Sequence, residues 1–502
     1  MIEQLENQRV DLQATLDAGK TAEERNRMGQ FSTPSPLARD ILSHARELIP
    51  AKQKIRFLDP ALGSGAFYAA LRRVFDEKTI ERAQAFEIDP HYGKPADDMW
   101  TQHGLKLVHG DFTRAKPDPA FNLVICNPPY VRHHHLSAED KQHLAKRTKA
   151  ATGLQLSGLA GLYCHFLLQT QAWMAPGAIA GWLIPSEFMD VNYGRRVKDY
   201  LLSQVSLLQI HRFDPDDVQF ADALVSSAIV WIKNEPPKAG HEVKFTYGGK
   251  LAQPQVALMV AASDLANEHK WTRYPRLGVR DNTSRATVGD LFKIKRGLAT
   301  GDNGFFVVDE TQVKAHKLPA KALRSILPSP RHVADDAIQA DTDGLPTNAR
   351  RLFLLDPRMD QDEIDRKHPG LAAYLAQGHE RGLHERYLCR TRKRWYDQEQ
   401  REPAPIVCTY LGRGDSKSGR PFRFIRNRST ATVANSYLAM YPTAALQERL
   451  DQQPELLDSI WKQLNAIKPE DLLGEGRVYG GGLYKLEPRE LAKVPLQLDQ
   501  GA

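Results

Sequence analysis

The sequence predicts an α/β protein in two parts: a mostly parallel sheet wrapped by helices, then a second domain of mixed α/β character. Three observations carry that prediction. Short apolar runs of strand length alternate with amphipathic stretches from about residue 55 to 235, the rhythm of successive strand–helix–strand units. Several of those runs end in an acid beside glycine or proline, as strands do when they deliver a ligand site to a sheet edge. Beyond about residue 285 the rhythm is lost and Arg, Gly and Pro become frequent. At 502 residues the chain is too long for one ordinary core. The expected domains are 1–275 and 276–502.

Taken in order, residues 1 to about 50 predict helices. Leu5, Leu12 and Leu16 recur near helical spacing, and Pro36 suits the first turn of a helix running to Leu48. The expected strands are Ile55–Leu58, Ala83–Phe86, Leu105–Val108, Phe121–Cys126, Ala178–Ile184, Leu207–Ile210 and Ala228–Ile232. A polar region from about 235 to 285, with Glu235-Pro-Pro-Lys-Ala-Gly240, is given no strand. Neither an internal repeat nor a low-complexity tract is found.

Composition narrows the class. No apolar run approaches the roughly 20 residues of a membrane-spanning helix, and the acid-bearing start Met1-Ile-Glu-Gln-Leu-Glu is no secretory signal. Cys126, Cys164, Cys389 and Cys408 lie far apart without a Cys-x-x-Cys pair. That argues against disulfides and structural zinc and fits a reducing cytoplasm. The net charge is +7, and the window Glu380–Arg428 holds 13 Lys or Arg against 6 Asp or Glu, which accounts for the whole excess. Within it, Arg390-Thr-Arg392-Lys393-Arg394-Trp395-Tyr and Arg423-Phe-Ile-Arg426-Asn-Arg428 interleave cations with aromatics. A solvated surface loop would have that composition, and so would a surface for a polyanion.

Ile55-Arg-Phe-Leu-Asp59-Pro60-Ala-Leu-Gly63-Ser-Gly65-Ala66 is a strand ending in an acid, then a glycine turn, then a helix from about Ala66. Gly63 and Gly65 supply permissive backbone and lack of bulk. The next strand ends in Glu87-Ile-Asp89, where a carboxylate can accept from a ribose diol. A third ends in Gly110-Asp111-Phe112, where an acid and an aromatic can engage an adenine ring. Alone, a Gly-x-Gly often marks just a turn; three successive acid-bearing strand ends point to a nucleoside. There is no phosphate-cradling Gly-x-x-x-x-Gly-Lys-Ser/Thr, and the third glycine of the dinucleotide fingerprint is missing. S-adenosylmethionine, which has no phosphate, fits better.

The strongest signal is a buried strand running into Asn127-Pro128-Pro129-Tyr130. Two prolines and a satisfied Asn would also make an ordinary turn. Chemistry favours more. The exocyclic amine of adenine is a poor nucleophile because its lone pair is delocalised. The amide oxygen of Asn127 and the carbonyl of Pro128 can accept from both its N–H groups and favour a pyramidal nitrogen, while Pro128 and Pro129 hold those acceptors in place beforehand. Tyr130 can stack on the base. Neither a metal nor a covalent nucleophile is required. Cys126 sits within the strand, so a structural thiol is expected rather than a nucleophile. Three consecutive histidines, His133 to His135, cannot easily converge on one ion.

With these motifs in this order the sequence resembles the gamma-ordered (TaqI-like) N6-adenine DNA methyltransferases of bacterial restriction–modification systems. Gly29-Gln-Phe-Ser-Thr33-Pro34 resembles that family's amino-terminal cofactor motif, Asp59 to Gly65 its cofactor loop, and Asn127 to Tyr130 its catalytic motif. The resemblance implies a Rossmann-like S-adenosylmethionine-dependent methyltransferase domain followed by a target-recognition domain. It implies that Thr33 and Pro34 lie near the methionine portion, that Glu87 meets the ribose, that Asp111 and Phe112 form the adenine pocket, and that Phe166 lies beside the cofactor. Phe220 is similar to an aromatic that sandwiches the extruded base with Tyr130. Val288 to Gly301 and Tyr479 to Pro488 resemble the opening and closing of target-recognition domains.

The expected partner is duplex DNA, contacted through Arg390, Arg392, Lys393, Arg394, Trp395, Arg423, Arg426 and Arg428, most of them on phosphates. A monomer is expected. No Asp…Glu-x-Lys nuclease cluster is recognised, so any cognate endonuclease is expected to be a separate protein. Competing readings are amino-methylation of RNA or of protein glutamine, and a catalytically silent DNA-binding protein of the same fold.

Overall fold

All seven apolar runs lie within strands of the computed structural model: β1 (Ile55–Asp59), β2 (Ile80–Glu87), β3 (Leu105–His109), β4 (Phe121–Cys126), β5 (Met174–Pro185), β6 (Ser206–Arg212) and β7 (Ser227–Lys233). The structure describes residues 2–213, 226–275, 286–413, 420–479 and 483–496, and Phe220 lies outside them. The described residues fall into two compact units that divide near residue 281.

The first unit is built on a nine-stranded sheet of order β3-β2-β1-β4-β5-β7-β6-β8-β9, where β8 is Glu242–Lys250 and β9 is Gln253–Ala261. From β3 to β5 all neighbours are parallel, while β7 runs antiparallel to both β5 and β6. The chain lays down β1, β2 and β3 outward in one direction and then returns to place β4 on the other side of β1. That reversal opens a crevice at the carboxyl ends of the strands, where such sheets bind ligands.

Strand β4 shows why the sequence reads as a continuous apolar run. Its six residues are all buried because both faces of the sheet are covered. Val124 and Cys126 point into one core with Leu58 and Phe86; Leu123 and Ile125 point into the other with Phe57 and Tyr68. Each large side chain so buried contributes about 1.5–3 kcal/mol. A rigid central strand therefore ends in the Asn127–Tyr130 loop.

Helices precede the sheet: α1 (Ile2–Ala18), α2 (Ala22–Met28) and α3 (Ser35–Leu48). Thr21 and Glu24 close a capping box at the start of α2, and Gly29 ends it in the left-handed region. Helix α4 (Ala66–Val74) leaves the glycine turn, and α5 (Pro90–Trp100), α6 (Ala138–Thr152) and α7 (Leu162–Gln169) follow β2 and β4. The region from 235 to 285, expected to lack strands, contains β8 and β9. Val243, Phe245 and Tyr247 of β8 are buried, but β9 is an edge strand with most residues outward. The turn joining the two is Leu251-Ala252, without the Asn-Gly or Asp-Gly signature of a hairpin.

The second unit holds a five-stranded sheet of Phe292–Arg296, Tyr437–Pro442, Ile406–Thr409, Phe424–Asn427 and Ala337–Ile338, in that spatial order. Leu446 and Leu450 of the helix Ala444–Gln452, and Leu457 and Ile460 of Leu456–Asn465, share a core with it. A separate core joins Phe305, Leu354 and Tyr374.

Candidate active site

At the carboxyl ends of β1 to β4 lies a cavity of about 590 Å³. Pro60, Ala61 and Gly63 wall it after β1, Glu87 and Ile88 at β2, Gly110 to Phe112 after β3, and Asn127 and Pro129 after β4. Gln13 and Asp17 of α1, Met28 at the end of α2 with residues 29–32 after it, and Phe166 of α7 also line it.

The acids at these strand ends differ in character. Asp59 is fully buried; its Oδ1 accepts from the Ala61 N–H at 3.1 Å, and its Oδ2 has no partner. Burial pushes its pKa up to about 8, with the Ala61 N–H opposing and Glu87 reinforcing the rise. Glu87 accepts from the N–H groups of Gly63 and Asp89, each at 2.8 Å. Burial raises its pKa against those hydrogen bonds. Asp111 is held by Thr113, whose N–H and hydroxyl both donate to its Oδ1 at 2.8 and 2.7 Å. Behind it Phe112 packs at 5.4 Å from both Phe166 and Phe86, giving one apolar wall.

The two glycines of the turn do different work. A Cβ on Gly63, at φ +58°, would meet nothing within 4 Å, and Gly63 faces the cavity. A Cβ on Gly65, at φ +93°, would sit 2.3 Å from Trp100 Nε1. Gly65 therefore makes room for a buried Trp100, which donates to the Ser64 carbonyl at 2.9 Å. It shapes the turn from behind.

After β4 the loop is tied to the segment following α2. Asn127 Nδ2 donates to the Phe31 carbonyl at 2.9 Å and to Thr33 Oγ1 at 3.1 Å. Its Oδ1 is buried and without a partner. A buried amide oxygen left unpaired is unfavourable by about 1–3 kcal/mol, and Asn127 stands on the cavity wall. The Tyr130 hydroxyl donates to the Leu183 carbonyl at 2.9 Å, and its ring lies 5.5 Å from that of Phe31. Burial drives the Tyr130 phenol far above its ordinary pKa. Pro128 is buried between them.

Two family descriptions match this chain: "Eco57I restriction-modification methylase" over residues 72–219 and "Type II methyltransferase M.Eco57I, C-terminal domain" over residues 274–501. Those two stretches carry Eco57I-type restriction–modification methylase domains. Type II methyltransferase M.XamI of Xanthomonas campestris pv. amaranthicola is 28% identical over 489 residues, covering 93% of this chain and 85% of that protein. M.AccI of Acinetobacter calcoaceticus is 26% identical over 503 residues, covering 95% and 87%. Among solved structures, the type IIL restriction–modification enzyme MmeI in complex with DNA superposes with a TM-score of 0.60 at 13% identity, over 96% of this chain and 70% of that one. That likeness concerns the fold.

In this methylase the cavity brings together Pro60, Gly63, Glu87, Asp111, Phe112, Asn127, Pro129 and Phe166, all named from sequence. Asp59, Gly65, Thr33, Pro34, Pro128 and Tyr130 are not among the residues that line it. Sequence reasoning missed Ile88, 60% exposed, although an apolar residue between two acids at a strand end is a legible signal. It also missed Gln13 and Asp17, which reach the cavity through tertiary packing of α1. No group of three or more His, Cys, Asp or Glu among the described residues is arranged to hold a metal. Cys126 is fully buried, and burial raises its thiol well above the ordinary range.

The eight basic-window residues divide sharply. Arg423 bonds Asp336 and the carbonyls of Val333, Ala334 and Asp335. Arg426 and Arg428 share Asp458. Arg394 pairs with Asp360 and Asp397. Arg392 donates to the Ala299 carbonyl, and Trp395 packs on Phe305 and Phe306. Arg390 and Lys393 are exposed, with Arg390 over the Tyr387 ring. Composition pointed to one basic surface; much of it is internal bracing of the second unit. No helix among the described residues is long and apolar enough to cross a membrane.

Proposed function

We propose that this methylase is a gamma-class site-specific DNA methyltransferase that modifies the N6 amine of adenine within a particular duplex sequence, as the modification enzyme of a restriction–modification system. The observation that carries the reading is the buried, unpartnered Oδ1 of Asn127 on the wall of a cavity whose lining includes the carboxylates of Glu87 and Asp111 and an aromatic face. Its relatives' description as type II methyltransferases supports the system assigned.

S-adenosylmethionine, when bound, supplies an electrophilic methyl group. The cavity fits it: Glu87 would accept from the ribose hydroxyls, Ile88 and Phe112 would flank the adenine with Asp111 at its edge, Phe166 would lie beside it, and the open face of Gly63 gives close backbone approach. Asn127 Oδ1 and the Pro128 carbonyl would accept the two N–H groups of the target amine and aim its lone pair outward. Tyr130, its ring pinned by the bond to Leu183, would stack on the base. Because the nitrogen proton becomes acidic only after transfer, no strong base is needed, and positioning supplies much of the rate. A base within a duplex cannot reach this depth, so the target nucleotide must be extruded, and stacking on Tyr130 offsets part of the unstacking. Phe220, outside the described residues, is the proposed second stacking partner. Exposed Arg390 and Lys393 are the cations of the window best placed to neutralise phosphates.

The test is transfer of labelled methyl from S-adenosylmethionine to duplex DNA, tRNA and total protein, with the modified nucleoside identified by mass spectrometry. N6-methyladenine in duplex DNA is expected. Label in tRNA or glutamine would install the competing enzymes, and absence of cofactor binding a silent DNA-binding protein. Asn127→Ala should abolish transfer while leaving cofactor binding largely intact.

A further inference from the structure

An asparagine amide has one acceptor and two donors at the end of a torsion with broad preferences, so something must decide which end faces a substrate. At Asn127 the partners decide it. The Phe31 carbonyl can only accept, so the amide NH₂ must face it; the reverse orientation would set Oδ1 against another carbonyl oxygen. Thr33 Oγ1 takes the second contact of the same nitrogen. Both acceptors come from the five residues after α2. Gly29 of that segment also accepts the Tyr130 N–H at 3.0 Å, and its Cα lies so close that a Cβ would be 2.3 Å from that nitrogen. Residues 29–32 line the cavity, whereas Thr33 is buried and does not.

We infer that Gly29–Thr33 is the template that sets the catalytic amide, with Thr33 a positioning residue whose hydroxyl holds Asn127 Nδ2 and so leaves Oδ1 free for the amine. This rests on the proposed function and gives Thr33 a role other than cofactor contact. Without the Thr33 acceptor the amide keeps a single tether, at Phe31, and spends less time in the productive orientation. The loss of one such bond corresponds to about a 3- to 10-fold fall in kcat.

Four proteins test it: wild type, Thr33→Val, Thr33→Ser and Asn127→Ala, each measured for kcat, KM for S-adenosylmethionine and calorimetric cofactor affinity. The expected result is a kcat of Thr33→Val lowered by about 3- to 10-fold with KM and affinity within about twofold of wild type, and recovery in Thr33→Ser, which restores the acceptor. Loss of cofactor affinity with kcat intact would make Thr33 a cofactor contact and overturn the inference. So would a kcat in Thr33→Ser no better than in Thr33→Val, since shape rather than the acceptor would then matter. Normal turnover by Asn127→Ala would overturn the proposed function itself, and this role with it. An inactive Asn127→Ala beside a fully active Thr33→Val would overturn the positioning role alone.

Discussion

Replacing Gly29 by alanine separates backbone strain from steric displacement of the Asn127–Tyr130 loop, the proposed catalytic loop. Gly29 ends α2 at φ +65°, a conformation that disfavours an L side chain by about 1–2 kcal/mol. The added Cβ would also lie 2.3 Å from Tyr130 N and 2.7 Å from both Tyr130 C and Val131 N. Those are backbone atoms of the loop that follows the fully buried strand β4. Restoring ordinary contact requires about 1 Å of movement, and a close-packed interior absorbs it poorly. A misplacement of that size at reacting groups lowers turnover by about 100-fold. Gly153, which ends α6 at φ +70° with nothing within 4 Å of its Cβ position, is the matched control. Gly153→Ala should lower the melting temperature by about 2–8 °C through strain alone and leave kcat near wild type. Gly29→Ala should lose at least as much stability and about 100-fold in kcat, read by steady-state methyl transfer beside melting curves. Equal kcat in the two variants would refute the claim that the α2 terminus and the catalytic loop share one rigid contact.

Asp59 makes a pH prediction. Its folded pKa of about 8 stands above the unfolded value of 3.8, so the native state holds the proton more tightly. The stability this gives is complete below about pH 4 and is lost as pH rises toward 8. Asp59→Asn cannot ionise, so its melting temperature relative to wild type should climb between pH 5 and 8; parallel curves would remove the assignment. In the second unit, Arg423→Ala strips one carboxylate and three carbonyls of their shared donor and should destabilise by about 2–4 kcal/mol in chemical denaturation. The double variant of exposed Arg390 and Lys393 to alanine should leave stability unchanged and reduce the salt dependence of DNA affinity by about two counterions. The reverse pattern would reassign bracing and binding.

The strands were legible because burial on both faces leaves little choice of residue. In β4, Leu123 and Ile125 serve one core and Val124 and Cys126 the other, so the whole run had to be apolar. The acids at the ends of β1 and β2 were legible for a related reason, since a carboxylate breaking an apolar run needs a purpose. What escaped notice has no local signature. Edge strand β9 exposes most of its residues and carries no periodic signal. Gln13 and Asp17 reach the cavity because the buried pair Glu6–Arg9 ties α1 to Ser35 and to Ser64 of the glycine turn, a tertiary fact. In the basic window, counting cations found charge but not its partners. Asp336 and Asp458, which engage Arg423, Arg426 and Arg428, lie outside the counted stretch on either side.

The distribution of charge around Asn127 bears on why an amide stands at that position. Cys126, its neighbour in the chain, already feels both Asp59 and Glu87, and burial raises the pKa of each of those acids. A third carboxylate in the place of Asn127 would be driven toward its neutral form by the same desolvation and repulsion. In its charged form it would meet the Phe31 carbonyl with an acceptor where a donor is needed. The amide avoids either difficulty: it presents an acceptor without charge and satisfies its surroundings through Nδ2. The ionisable side chains nearest in the chain, Cys126 at the end of β4 and Tyr130, are both held protonated by burial. Carboxyl groups therefore stand on the side of the cavity assigned to the proposed cofactor and uncharged dipoles on the side assigned to the proposed amine. On the proposed function, that division would let a single cavity bind the donor through hydrogen-bonding carboxyl groups and activate the acceptor by geometry.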